Sequence, residues 1–193
     1  MRLRAILLQF VVPGVLVLTS ARAVAFCYKE AGSKYGIDPA MLQSIALTES
    51  AFRPNIESHT ADIGLMGINR SWLPVLHKKF GLTGADVWNP CTNVHIGAWI
   101  LANSYRQHGK SWEAVGAYNA ACTKLKGRAC YRARMTYANK VYQNWKRLKH
   151  ALRSLRNDSD SLCRPKTGSG RAASRRNLYS GTKSAGRICL LPQ

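Results

Sequence analysis

Two pairs, Asp38-Pro39 and Asn89-Pro90, constrain this chain more than any other feature. An Asp or Asn side chain accepts from free N–H groups of a helix's first turn, and proline at the first helical position lacks only an N–H that would go unpaired. Each pair therefore starts a helix. Gly36, Gly81 and Gly109 supply the left-handed stops. Between these marks apolar residues recur at helical spacing. The pattern predicts a first helix ending at Tyr35. A second runs from Pro39, carries Met41, Leu42, Ile45, Ala46 and Glu49 on one face, and is ended by Pro54. A short helix spans Ser71 to Phe80, another runs from Pro90 to about His108, and Ser111 caps one through Asn119. The long last helix has Met135, Val141, Trp145, Leu148, Leu152 and Leu155 on its inner side. Residues 55–69 hold two glycines and no helical period, and read as a loop or small hairpin. The fold class is mostly α.

The ends of the chain read differently. Arg2 and Arg4 precede an apolar run from Ala5 to Leu18, followed by Ala21-Arg22-Ala23 and Ala23-Val24-Ala25. Residues 1–25 are expected to be a secretory signal cleaved after Ala23 or Ala25. The alternative, an uncleaved anchor, is disfavoured by the run's length and by Pro13-Gly14. A helical domain is expected over 26–155. The segment 156–193 turns to Ser, Gly and Arg with few core residues, and reads as a basic, disordered tail.

Lys and Arg number 29 against 9 acids, a formal charge of +20 that favours a polyanionic partner. Export to the periplasm argues against nucleic acid and for an anionic polymer of the cell envelope. It also makes the 6 cysteines candidates for disulfides. Six cysteines allow fifteen connectivities. Cys122 and Cys130 flank the short basic loop "CTKLKGRAC", Cys27 opens the domain, and Cys91 lies at the start of a helix. Their spacing does not resemble a zinc site, so no metal or cofactor is expected.

Few carboxylates compete for a chemical role. Asp38 is a cap, Glu113 sits in a helix's first turn, Glu30 lies among polar residues, and Asp86 and Glu57 fall in loops. Asp62 reads as a turn residue able to contact a substrate. Glu49 differs from these. It follows Ile45 by one helical turn on the apolar face, at the C-terminal end of its helix. Burial and the helix dipole should both raise its pKa, as a general acid requires.

The stretches "YGIDPAMLQSIALTES", "ADIGLMGIN", "WNPCTNVHIGAWIL", "VGAYNAA" and "YANKVY" occur in that order. Together they resemble the soluble lytic transglycosylases with a lysozyme-like, goose-type fold. The nearer likeness is to the small exported members that accompany type III secretion or conjugation machinery. The resemblance covers about Cys27 to Trp145. It implies cleavage of the β-1,4 bond between N-acetylmuramic acid and N-acetylglucosamine, leaving a 1,6-anhydromuramyl end. Glu49 would be the single acid and base. Ser50, Gly64, Met66, Tyr118, Asn119 and Tyr137 match substrate-binding positions, with Ser50 orienting acetamido or nearby polar groups and Asn119 bonding a sugar substituent or Glu49. The pairings Cys27 with Cys91 and Cys122 with Cys130 are expected, while Cys163 and Cys189 are left without assignment. Trp72, Trp88 and Trp99 look like core aromatics, one of which could line the groove. The chain departs from the pattern at Gly67, where the family usually has a glutamine on the groove wall, and at Ala121, often glycine.

A hydrolase of similar fold would need a second acid, for which Asp62 is the candidate. A glycan-binding scaffold that has lost turnover through Gly67, and a cationic protein acting on membranes, are the remaining alternatives. The expected partners are glycan strands and components of an envelope-spanning secretion or pilus system, with the protein acting as a monomer.

Overall fold

The computed structural model describes residues 26–163. The expected signal segment, Cys189 and the tail beyond 163 lie outside the described residues. Helices α1 (Tyr28–Tyr35) and α2 (Pro39–Ser50) are followed by a hairpin of β1 (Asp62–Ile63) and β2 (Ile68–Asn69). A 3-10 turn at Arg70–Trp72 leads into α3 (Leu73–Phe80) and α4 (Gly84–Val87). The chain continues through α5 (Pro90–His108), α6 (Trp112–Asn119) and α7 (Gly127–Cys163). The hairpin pairs antiparallel, Asp62 opposite Asn69 and Ile63 opposite Ile68.

The caps act as the residue types predict. Asp38 accepts from the Ala40 N–H at 2.9 Å, Asn89 from Thr92 at 3.0 Å and Ser111 from Ala114 at 3.2 Å. Gly36 and Gly81 close their helices with left-handed φ. Helix α5 runs through the core, burying Val94, Ile96, Ala98, Trp99, Ile100 and Leu101. Helix α2 packs against α1, α5 and α7, and buries Leu42, Ile45 and Ala46 completely. The core thus meets the last turn of α2, where Glu49 stands.

Some expectations change. Helix α2 ends at Ser50, before Pro54: Ala51 and Phe52 both take left-handed φ, and the Ala51 N–H turns back to the carbonyls of Ala46 and Leu47. Asp86 is not a loop residue but closes a capping box with Thr83 at the start of α4. Helix α7 continues past 155, where helix was expected to end, to Cys163. Its inner side is Arg134, Tyr137, Ala138 and Val141, whereas Leu152 and Leu155 are exposed because α7 has outrun the body it packs on. Cys27 bonds Cys91 and Cys122 bonds Cys130, as expected. The first bridge ties the domain's opening residues to α5 across a sequence separation of 64.

One buried polar side chain fixes the hairpin to this frame. Asn93 of α5 is 1% exposed. Its amide nitrogen donates to the carbonyls of Ile63 (3.0 Å) and Val87 (2.9 Å), and its oxygen accepts from the Met66 N–H at 2.8 Å. Asn93→Ala leaves all three backbone groups without this partner. Because one buried unsatisfied group costs about 1–3 kcal/mol, the variant should lose at least that much. Urea unfolding would register the loss as a lower midpoint, and a midpoint equal to wild type would refute the clamp.

Candidate active site

Glu49 occupies the last turn of α2 and faces a groove of about 460 Å³, shared with Asp62, Gly67, Asn69, Trp72, Tyr118 and Asn119. A second cavity of about 240 Å³ lies beside it, bordered by Thr48, Asn119, Thr136, Tyr137 and Lys140. Glu49 and Asn119 line both spaces.

The Tyr137 hydroxyl donates to Glu49 Oε1 at 2.5 Å. Burial pushes the Glu49 carboxyl up to about 7, and the nearby Asp62 charge adds to the rise. The Tyr137 hydrogen bond and the Lys140 charge pull against it without overcoming the burial. The group is thus poised between acid and base near neutral pH. Tyr137 stacks on Tyr118, with ring centroids 6.4 Å apart and planes 16° from parallel. Burial raises both phenols well above their ordinary pKa, so both stay protonated as donors.

The turn between the two strands forms the other side of the site. Gly64 and Gly67 both take left-handed φ, 71° and 60°, and the Gly67 N–H donates to the Gly64 carbonyl at 3.2 Å. At Gly64 a side chain would also strike Asn93, because its Cβ would lie 2.6 Å from the amide nitrogen. The Tyr118 hydroxyl donates to the Met66 carbonyl at 2.7 Å. Two residues matched to substrate binding therefore act otherwise. The Met66 side chain is fully buried, and only its backbone helps shape the groove wall. Ser50 is 1% exposed, and its hydroxyl lies 2.9 Å from the carbonyls of both Ala46 and Leu65. It joins the end of α2 to the turn and is too buried to meet a sugar. Asn119 is exposed at the end of α6, open to both cavities.

The remaining acids separate cleanly. Glu57 is paired with Arg70 at 2.6 Å and 2.9 Å, away from the groove. Asp62 lies in the groove wall. Burial alone would raise its carboxyl, but hydrogen bonds from Thr60, Asn69 and Ser58, with the His59 charge, hold it below the ordinary range. Two carboxyls thus share one groove, Glu49 raised by burial and Asp62 held low by its hydrogen bonds. Trp72 is the tryptophan that reaches the groove, packed edge-on against the buried Trp99.

The sequence reading did not single out Asn93 or Arg134. Arg134, 9% exposed, donates from Nε to the Ala120 carbonyl at 3.2 Å and bridges Glu113 at 3.1 Å, holding the chain beyond Asn119 against α7. The available signal was a polar residue on an otherwise inward-facing helical stripe: Asn93 beside Val94 and Gly97, and Arg134 one turn from Ala138.

Raised in the fold, the Glu49 carboxyl binds its proton more tightly than in the unfolded chain. Its contribution to stability is therefore greatest below the ordinary carboxyl pKa and is lost as pH rises toward about 7. Glu49→Gln removes this dependence. It should be more stable than wild type at pH 8, with the advantage shrinking toward pH 4. A gap in urea midpoint that does not change with pH would contradict the burial.

Known proteins resemble this chain in sequence and in fold. Residues 26–140 match the transglycosylase SLT domain family. Invasion protein IagB of Salmonella typhimurium is 35% identical over 140 residues, covering 70% of this chain and 84% of IagB. Protein IpgF of Shigella flexneri is 32% identical over 128 residues, 64% of this chain and 82% of IpgF. An inactive mutant of the lytic transglycosylase Slt from Pseudomonas aeruginosa superposes with a TM-score of 0.56 at 19% identity, a likeness of fold. That match covers 68% of this chain and 24% of Slt. The chain belongs to the transglycosylase SLT domain family and is a peptidoglycan lytic transglycosylase.

Proposed function

We propose that Glu49 alone supplies the acid and the base for cleavage of the MurNAc-β-1,4-GlcNAc bond, with a 1,6-anhydromuramyl end as product. The observation that carries this is the Glu49 side chain on the groove wall, hydrogen-bonded to Tyr137 and raised by burial to about 7. Protonated, Glu49 gives its proton to the glycosidic oxygen as the C1–O bond breaks. The muramyl 2-acetamido oxygen stabilises the electron-poor anomeric carbon. The sugar's 6-hydroxyl then attacks that carbon and Glu49 takes the hydroxyl proton, which returns the enzyme to its starting state. Because the nucleophile belongs to the substrate, no water need be held, and the intramolecular attack avoids the entropy of a second encounter. Tyr137 keeps the carboxyl oriented through both transfers, and Asn119 is placed to meet a substituent of the sugar.

Asp62 favours a second reading. It is an ionised carboxylate in the same groove. A hydrolase could use it to activate water or to stabilise the anomeric cation, giving reducing ends.

The biological setting belongs to the same proposal. A signal over 1–25 would place the enzyme in the periplasm, and the positive charge would hold it to the acidic cell wall. A relative named as an invasion protein supports local opening of peptidoglycan for an envelope-spanning apparatus.

Mass spectrometry of sacculi digested by the purified protein separates the chemistries. Anhydro ends are expected, with Glu49→Gln reduced by about 10²–10⁴-fold, the usual contribution of a general acid–base. Reducing ends would establish the hydrolase reading instead, and near-wild-type turnover by Glu49→Gln would remove Glu49 from the mechanism.

A further inference from the structure

The chain that follows Asn119 carries positive charge without partners. No Asp or Glu occurs between Glu113 and Asp158. Within that stretch Lys124, Lys126 and Arg128 stand exposed on a loop stapled by the Cys122–Cys130 bridge. Among the described residues none of the three is paired with a carboxylate. Their placement does not serve the fold. Lys126 and Arg128 flank Gly127 at the start of α7, where the helix dipole disfavours positive charge. Both ends of the loop meet the site. Ala121, just before Cys122, lines the groove, and Ala133, soon after Cys130, lines the second cavity. We propose that this stapled loop binds the free carboxylates of peptidoglycan's peptide stems, so that the enzyme favours glycan bearing ionised stems. The proposal rests on the reading of the groove as the glycan site.

The chemistry of the substrate matches this layout. Each stem hangs from a muramyl sugar to the side of the glycan strand and carries free carboxylates. A strand lying past Glu49 therefore presents negative charge beside the groove. The groove itself has nothing to offer that charge. Its Asp62 is ionised, and its Arg134 is already bonded to Glu113 and to the Ala120 carbonyl. The cations left to meet a stem are those on the loop. The loop is also held before substrate arrives. The bridge closes it across a sequence separation of 8, and Arg134 fixes the chain at its base to α7. Charges on a held loop lose less freedom on binding than charges on a loose one. Exposed charge pairs are individually weak, so recognition needs several at one place, as the loop provides.

Soluble glycan fragments with intact stems, and the same fragments with the stem carboxylates converted to amides, test this. For the wild-type protein at low salt, KM should be about three- to thirtyfold lower on intact stems, the scale of three exposed charge pairs, with kcat nearly equal. The preference should fade above about 0.1 M salt, where the screening length drops below about 10 Å. Lys124→Gln, Lys126→Gln and Arg128→Gln combined should raise KM on intact stems to the amidated level and leave the amidated substrate unaffected. Lys124→Arg, Lys126→Arg and Arg128→Lys combined should keep the preference. Arg147→Gln, Arg153→Gln and Arg156→Gln combined remove as much charge from exposed positions of α7 that line neither cavity, and should also keep it. Equal wild-type KM on the two substrates would overturn the proposal without any variant. An undiminished preference in the loop Gln variant would overturn it, as would an equal loss in the α7 variant. The reading of Glu49 fails separately, through an active Glu49→Gln, which leaves the KM ratio untouched.

Discussion

Keeping one carboxyl largely out of water is the constraint on which the rest of this domain depends. A desolvated Glu49 is unfavourable when charged, and the fold must hold it there against the tendency of α2's last turn to fray into solvent. It does so from two sides. Helix α7 brings Tyr137 to one oxygen, and the glycine turn brings bare backbone to the other. Neither wall stands alone. Tyr137 stacks on Tyr118, and Tyr118 bonds the carbonyl of Met66 within the same turn that closes the opposite wall. The two sides are thus mechanically one object, closed again below by Ser50 reaching from α2 to Leu65.

This ring of contacts explains why so many polar groups are buried in a small helical domain. Asn93 spans α5, the hairpin and the end of α4. Arg134 joins α7 to the chain beyond α6. Each replaces hydrogen bonds that irregular backbone would otherwise make with water. A hairpin this short has little apolar surface with which to hold itself in place, so its position is borrowed from α5. The Cys27–Cys91 bridge secures the start of α5 to the domain's beginning, which keeps that support fixed.

Much of this was legible in the residues, and the limits have physical reasons. Caps and stops are local, so the boundaries at Asp38, Gly81, Asn89 and Ser111 could be read directly. Glu49 was legible because helical spacing set a charge on an apolar face. The end of α2 was not, since Ala51 and Phe52 adopt left-handed backbone that neither residue type advertises and only tertiary packing enforces. The roles of Ser50 and Met66 were misread for a related reason: motif position shows that a residue lies near a groove, not whether its side chain faces the groove or the core. Leu152 and Leu155 continue an apolar stripe beyond the body that α7 packs on, a length that no local pattern records.

The chain belongs to the transglycosylase SLT domain family, and the chemistry proposed for it turns on Glu49. A single residue that must donate and then accept a proton needs both forms accessible, which an ordinary exposed glutamate at neutral pH does not offer. The central claim is therefore about proton affinity, and it can be observed without substrate. Titration of side-chain carboxyls by carbon-13 NMR, with Glu49→Gln used to assign the resonance, reads it directly. The account predicts a Glu49 carboxyl titrating at about 7. A Glu49 resonance titrating near the ordinary glutamate value of about 4.3 would contradict it.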